Sequence, residues 1–366
     1  MLHIGIDARL NYYRRGGIST YTQRLIHALE KLDTDHRYTV FHSRKMRESL
    51  VQRFRRASLW TPCHHRLERL ALSVELARFQ LDILHSPDFI PPLRGAKRHV
   101  ITVHDLNFLY YPQFLTAESR RYYNGQIEQA VRQADHILAD STATKNDLVA
   151  MLGVPEGKIT VHMLGVDEKF RPLPTETRHF YRQQLDLPEA YFLFVGTFEP
   201  RKNIIGLLEA YAALRSQIPT APPLVLAGQR GWMFEETMTR IDAMNLGNHI
   251  LWREDVSQEA MPALYNMATA LVLPSFYEGF GFPALEAMAC GTVPIVSNRA
   301  SLPEVVGEVG LQVDPDDPSA LTQALYRVLT DSDWCTVNQQ AGLERAATFT
   351  WANTASIVMA VYRSLN

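Results

Sequence analysis

Short apolar runs alternate along this chain with longer stretches in which apolar positions recur every three or four residues. That alternation predicts an α/β protein with parallel sheets. In the first half, strands are predicted over His3–Asp7, Tyr38–His42, Ile83–His85, His99–Val103, His136–Ala139 and Ile159–Val161, and helices over Thr20–Leu32, Ser119–Ala134 and Thr142–Leu152. In the second half, the predicted strands are Tyr191–Val195, Pro223–Ala227, Ile250–Trp252, Ala270–Leu273 and Val293–Val296. The predicted helices there are Ile204–Gln217, Met233–Met244, Ala260–Met267, Pro283–Cys290 and Pro318–Thr330. Gly165 to Thr175, with Pro172 and Pro174, follows neither period and reads as a linker. A helix over Thr177–Leu185 then leads into the Tyr191 strand, so the domains are expected at 1–170 and 176–350. Trp351–Leu365 is again amphipathic.

A length of 366 residues suits two cores, because single cores stop growing at roughly 250–300 residues. Hydrophobic content of 46% and charged content of 21% are ordinary for a globular enzyme. No apolar run approaches the roughly 20 residues of a membrane span. The start, Met-Leu-His-Ile-Gly-Ile-Asp, lacks the basic and apolar regions of a signal peptide. Cys63, Cys290 and Cys335 have no metal-site spacing and are too few for a disulfide framework. These features predict a cytoplasmic protein.

Charge is divided unevenly. Residues 1–185 hold 27 Lys and Arg against 19 Asp and Glu, a net of +8, whereas residues 186–366 hold 10 against 20, a net of −10. The excess concentrates between Arg44 and Arg69, where Arg44, Lys45, Arg47, Arg53, Arg55, Arg56, Arg66 and Arg69 face only Glu48 and Glu68. This run reads either as a solvated helix face or as a surface for anionic lipid headgroups or a phosphorylated acceptor. The latter would put the protein peripherally on the inner face of the cell membrane. Nucleic acid is not indicated, since no nucleic-acid motif accompanies the charge and the pI is about 6.7.

The chemistry concentrates in two segments. Glu278 to Gly291 reads E-G-F-G-F-P-A-L-E-A-M-A-C-G. Its glycines allow close backbone approach to a ligand, and Pro283 favours a helix start whose N–H groups face a diphosphate. Glu286, farther in, can accept hydrogen bonds from a ribose diol. The second segment, Gly196-Thr197-Phe198-Glu199-Pro200-Arg201-Lys202-Asn203, follows a buried strand. Ligands of open α/β sheets bind outside such strand ends. Arg201 and Lys202 offer a guanidinium fork and a point charge for phosphate oxygens, stabilising a departing nucleoside diphosphate without a metal. Together these parts describe a nucleotide-sugar site.

Weaker signals follow other strands. Arg14-Arg15-Gly16-Gly17-Ile18 is a glycine loop before a helix, but is not the dinucleotide G-x-G-x-x-G. His104 follows the strand ending at Val103, where it is either structural or a hydrogen-bonding group near reacting atoms. Ala227 to Trp232 follows another strand and is placed along the same cleft. Asn107 to Pro112 is aromatic and reads equally as the border of an acceptor groove or a packed loop. Ser297 to Ser301 reads as a surface turn. No hydrolase elbow, P-loop or clustered His/Cys metal site is present.

The segments G-T-F-E-P-R-K-N and E-G-F-G-F-P-A-L-E resemble the signature of retaining glycosyltransferases of family four, which have the GT-B fold. Thr197 departs from the arginine common there and leaves the diphosphate contacts open. The resemblance implies two doubly wound Rossmann-like domains facing across a cleft. The N-terminal domain would take a glycan or polyprenyl-linked acceptor and the C-terminal domain the donor, with the helix at 351–366 packing back on the first. It implies catalytic roles for His104, Glu278, Arg201 and Lys202. Donor binding falls to Gly16, Gly17, Gly196, Arg201, Lys202, Asp255, Val256, Glu278, Gly279, Phe280, Gly281, Phe282, Pro283, Ala284, Leu285 and Glu286. In this scheme the acceptor hydroxyl attacks from the face of the leaving diphosphate, and neither a metal nor another cofactor takes part. With A-G-Q-R-G-W, the motifs look most like bacterial mannosyltransferases of polysaccharide biosynthesis, which implies GDP-mannose; UDP-sugars stay open. An epimerase or phosphorylase of this fold, or a non-catalytic glycan- or partner-binding domain, are the alternatives.

Overall fold

The apolar runs rich in Val, Ile and Leu become short strands, as buried parallel strands require. In a computed structural model, which describes residues 1–13, 16–65, 67–114 and 117–366, the first seven strands are β1 (His3–Asp7), β2 (Arg37–Ser43), β3 (Arg55–Leu59), β4 (Leu81–Ser86), β5 (Ala96–Val103), β6 (His136–Ala139) and β7 (Ile159–Val161). They form one sheet in the order β3-β2-β1-β4-β5-β6-β7. Every pairing is parallel, with Ile4 beside Tyr38 on one side and Ile83 on the other. The next six are β8 (Phe192–Val195), β9 (Leu224–Ala227), β10 (Ile250–Arg253), β11 (Ala270–Leu273), β12 (Pro294–Ser297) and β13 (Leu311–Val313). They form a second parallel sheet in the order β10-β9-β8-β11-β12-β13.

The chain divides into two units, Met1–Gly165 with Thr350–Asn366, and Val166–Phe349. The Trp351–Ser364 helix starts at Thr350, whose side chain accepts from the Asn353 N–H, and belongs to the first unit. It buries Ala355, Val358 and Tyr362, and the Tyr362 hydroxyl lies 2.6 Å from His85 Nδ1 on β4.

Both sheets reverse direction once. In the first, β1 to β3 step outward and β4 returns to the other side of β1; in the second, β8 to β10 step outward and β11 returns beside β8. At such a switch point the two following loops diverge and leave a crevice, the place where open α/β sheets bind ligands.

Several elements differ from the sequence expectation. β3, β13 and the helices Glu68–Leu76 and Ser332–Ala347 were not anticipated. The basic run is no single helix face: it spans loops, β3 and the start of the Glu68–Leu76 helix, and Arg66 lies outside the described residues. Some of its cations hold the fold, Arg53 donating to the Glu30 and Asp33 carbonyls and Arg69 to the Pro91 carbonyl. In the aromatic segment, Phe108 is buried against Phe89 while Tyr110 is exposed. Among the described residues, no helix is long and apolar enough to cross a membrane.

Candidate active site

The loop after β8 is pinned to its neighbour by backbone. Gly196 N–H donates to the Ala227 carbonyl and Phe198 N–H to that of Gln229. A Cβ on Gly228 would lie 1.9 Å from the Gly196 carbonyl oxygen, so only glycine permits this approach. The chain then makes one 3₁₀ turn over Pro200–Lys202 and enters the Ile204–Gln217 helix.

Because β11 lies beside β8, its loop meets this turn: Phe276 N–H donates to the Arg201 carbonyl at 2.8 Å. The side chains converge as well. Lys202 Nζ donates to Glu278 Oε1 at 2.6 Å, and Arg201 Nη1 to Glu278 Oε2 at 2.9 Å. Ser275 Oγ donates to Glu278 Oε1 at 2.7 Å, and Arg201 Nε to Glu199 Oε2 at 2.9 Å. Lys202 and Glu278 are buried, at 6% and 7% exposure. Burial alone pushes the Glu278 pKa up, but Lys202 and Arg201 outweigh it and hold the carboxyl at about 2. Burial pushes the Lys202 ammonium down, and Glu278 opposes that. The cluster is therefore two cations oriented by one carboxylate that is ionised at neutral pH.

The rest of the signature follows from Gly281. Its φ of 99° belongs to the region glycine tolerates, and an added Cβ would meet Leu302 at 2.6 Å. It precedes the Phe282–Ala289 helix, with Pro283 in the first turn. Ala284 and Leu285 are core residues whose N–H groups point to the Gly281 carbonyl. Phe280 is buried and packs edge-on against the Phe282 ring. Ser301, expected on a surface turn, is instead buried: its hydroxyl lies 2.8 Å from the Glu278 carbonyl and 2.9 Å from that of Phe280. It holds the Glu278–Gly279–Phe280 backbone in place.

Glu286 is half-buried on this helix and accepts from the Tyr265 hydroxyl at 2.7 Å. Burial raises its pKa to about 7, the Tyr265 hydrogen bond opposing the rise. Asp255 and Val256 follow β10, where Asp255 is exposed and accepts from Gln229 at 2.9 Å. β10 lies three strand steps from β11, roughly 14 Å at the usual strand spacing.

In the first unit, Gly16 and Gly17 are exposed at the start of the Gly17–Leu32 helix, and a Cβ on Gly16 would meet nothing within 4 Å. Arg14 and Arg15 lie outside the described residues. His104, just beyond β5, places Nδ1 2.6 Å from Asp140 Oδ2 and Nε2 2.8 Å from the Pro87 carbonyl. Both partners only accept, so both ring nitrogens carry hydrogen. Burial disfavours the imidazolium, but Asp140 overrides it and lifts the pKa to about 9.

Sequence reasoning missed the groups around it. Tyr21 packs edge-on against His104, and its hydroxyl lies within 3.1 Å of both Thr102 and His162. Beside β1, buried Arg9 donates to Asp7, Glu68 and the Thr61 carbonyl. Their one sequence signal is position, since Asp7 ends β1, Asp140 immediately follows β6, and His85 and Thr102 are the last residues but one of β4 and β5.

A model of the family described as "Glycosyl transferases group 1" matches residues 176–347, and one described as "Glycosyltransferase Family 4" matches residues 15–170. The chain is 34% identical to O-antigen chain mannosyltransferase B of Escherichia coli, over 77% of this chain and 74% of that protein. It is 29% identical to serotype-specific mannosyltransferase WbdA of Escherichia coli, over 66% of this chain and 30% of that protein. Among solved structures, sucrose-phosphate synthase from Thermosynechococcus elongatus superposes with a TM-score of 0.78 at 24% identity, covering 100% of this chain and 99% of that one. With parallel sheets of seven and six strands, each with a single switch point, and both family models matched, the chain belongs to glycosyltransferase family four and has the GT-B fold.

Proposed function

We propose that this glycosyltransferase moves mannose from GDP-mannose to a hydroxyl of a glycan or polyprenyl-linked acceptor, with retention at the anomeric carbon and without a metal. The observation that carries this reading is the Arg201–Lys202–Glu278 cluster at the β8/β11 switch point, with Lys202 and Glu278 buried. A leaving diphosphate gains charge as the glycosidic bond breaks, and donors already oriented toward it lower that barrier without reorganisation. Glu278 keeps Arg201 and Lys202 oriented. With its pKa near 2, it is no general acid at neutral pH. The diphosphate oxygen is then the base that takes the acceptor's proton. Gly196 and the Gly279–Pro283 backbone line the sugar and diphosphate, Glu286 accepts from the ribose hydroxyls, and Asp255 and Val256 flank the base. Gly16 and Gly17 border the donor phosphates. His104, an imidazolium whose two N–H groups are held by Asp140 and the Pro87 carbonyl, supplies a positioned positive charge beside the transferred sugar, and must release the Pro87 carbonyl to hydrogen-bond it.

The second unit is thus the donor-binding domain and the first the acceptor-binding domain. Mannose is favoured because O-antigen chain mannosyltransferase B and WbdA, at 34% and 29% identity, are mannosyltransferases; other relatives at 29–33% identity are D-inositol 3-phosphate glycosyltransferases, so the donor is tested directly. The protein acts in the cytoplasm, with peripheral contact to an anionic membrane through Arg44–Arg69.

Thermal unfolding against GDP, UDP, ADP and their sugar conjugates, with and without EDTA, tests the donor. Ligand at 100 times its dissociation constant adds about 2.7 kcal/mol. A selective upshift with GDP-mannose that EDTA leaves unchanged is expected, whereas a UDP-sugar upshift replaces the donor. No response to any nucleotide would return the chain to the non-catalytic alternative. For the site, Lys202→Ala should lower transfer by roughly 100-fold, the scale of one lost electrostatic contact in the transition state. Near-wild-type turnover would remove Lys202 from the diphosphate.

A further inference from the structure

We propose that the first unit carries a second anion site, a groove for a phosphate-bearing ligand at the N-terminal edge of its sheet. The groove is open, encloses about 540 Å³, and is lined by Arg37, Arg55, Arg56 and Arg78 with His3 and Phe79. The topology brings them together. His3 begins β1 beside Arg37, which begins β2, while Arg55 begins β3 beside Thr39 of β2. Arg78 and Phe79 lie in the 3₁₀ turn just before β4. The candidate active site residues of this unit, His104 among them, follow the opposite ends of the strands. β1 alone separates the edges by roughly 15 Å, so a ligand here is not the reacting group.

The four guanidinium groups are oriented but not neutralised. Arg37 donates to His3 Nδ1 at 2.7 Å, and buried His3, through Nε2, meets Thr39 Oγ1 at 2.9 Å. His3 therefore accepts from Arg37 as a neutral ring, consistent with the lowering of its pKa by burial and by Arg37. Arg56 donates to the Met46 and Arg47 carbonyls. Arg55 and Arg78 lie over the Phe79 ring at 5.8 and 4.9 Å. Carbonyls, a neutral imidazole and an aromatic face fix geometry without cancelling charge. Asp82, the acid next to His3, is engaged by Lys97 and by the His3 N–H. Among the described residues none of the four arginines forms an ion pair with a carboxylate.

Four like charges around one groove repel each other, and a bound anion relieves that repulsion. Guanidinium forks match the paired oxygens of phosphate groups and bind them bidentately. Only Arg55 and Arg56 belong to the basic run evident in the sequence; Arg37 and Arg78 join them through the fold. The site stands independently of the donor and acceptor assignment.

Calorimetric titration of inorganic pyrophosphate into the full chain tests it, using wild type, Arg55→Ala/Arg78→Ala and Lys202→Ala. The Lys202 variant controls for pyrophosphate entering the candidate active site. Binding should persist in Lys202→Ala, weaken with added salt, and fall at least about tenfold in the double arginine variant. An Arg55→Lys/Arg78→Lys variant should keep part of it, which separates loss of charge from loss of fold. Binding unchanged by removal of both arginines, or absent once Lys202 is removed, overturns the site. Co-sedimentation with phosphatidylcholine vesicles, with and without phosphatidylglycerol, then identifies the source. Retention on anionic vesicles that the double variant loses assigns the groove to lipid headgroups. Pyrophosphate binding without vesicle retention assigns it to a soluble phosphate compound. Failure to bind either probe overturns it.

Discussion

Glu278 sets the charge balance of the candidate site, and two pH effects separate it from Glu286. In the folded chain the Glu278 pKa is about 2, below its ordinary 4.5. A depressed carboxyl contributes stability that is fully present above the unfolded pKa and is lost as pH falls through the folded one. Between pH 4.5 and 2 that contribution amounts to about 3 kcal/mol. Glu278→Gln should lack it and should also leave Lys202 buried without its carboxylate, a loss of about 3–5 kcal/mol at neutral pH. Denaturant midpoints of the two proteins should therefore converge as pH drops from 4.5 to 2, and parallel curves would contradict the ion pair. Glu286 is displaced the other way, to about 7. Below that pH it is neutral and accepts poorly from a ribose diol. The donor KM should therefore fall as pH rises from 6 to 8, and Glu286→Gln should flatten the profile. A wild-type profile already flat across that range would remove Glu286 from the donor.

Among elements, the signature loop depends on a residue outside the signature. The single Ser301 hydroxyl hydrogen is shared between the Glu278 and Phe280 carbonyls from a buried position. Ser301→Ala leaves these acceptors without their partner, at a cost of about 1–3 kcal/mol. A loosened loop also misplaces Glu278, so kcat should fall while the secondary structure seen by circular dichroism stays unchanged. Unaltered stability and turnover would show that the loop is held by other contacts.

The same scale explains what the sequence disclosed. Strands buried on both faces, such as Ala270–Leu273, stand out because their apolar runs are continuous. β3 is hidden because its Arg55-Arg56-Ala57-Ser58-Leu59 lies at the sheet edge with only Leu59 buried. The Ser332–Ala347 helix buries Asn338, Gly342 and Ala346, four residues apart, and this polar and small stripe shows no apolar period. Gly342 faces the Phe282–Ala289 helix, where an added Cβ would make ordinary contact with Met288 at 3.5 Å. Both motifs of the candidate site were readable, but their pairing was not. Lys202 and Glu278 are 76 residues apart, and only the β8/β11 switch brings them together. His104 was visible as a strand-end histidine. Asp140, which charges it, was one acid among many.

For the whole molecule, chain order and the division into units are at odds. The first unit is interrupted by the entire second unit and regains the chain only at Thr350. The Trp351–Ser364 helix contributes Ala355, Val358, Met359, Val361 and Tyr362 to the buried interior. Large apolar side chains contribute about 1.5–3 kcal/mol each when fully buried, so removing the helix costs several kcal/mol. That loss is comparable to the 5–15 kcal/mol that holds a typical domain folded. The second unit has its own six-stranded sheet and loses none of its residues by such a cut. A chain ending at Phe349 should therefore keep amide protection in β8, β9, β11 and β12 and lose it across β1, β2 and β4. Hydrogen exchange read by mass spectrometry would resolve the two sheets separately. Full protection in both would show that the first unit is stable before its last helix arrives. Selective loss would mean that the structure of the first unit forms only after the second unit has been synthesised.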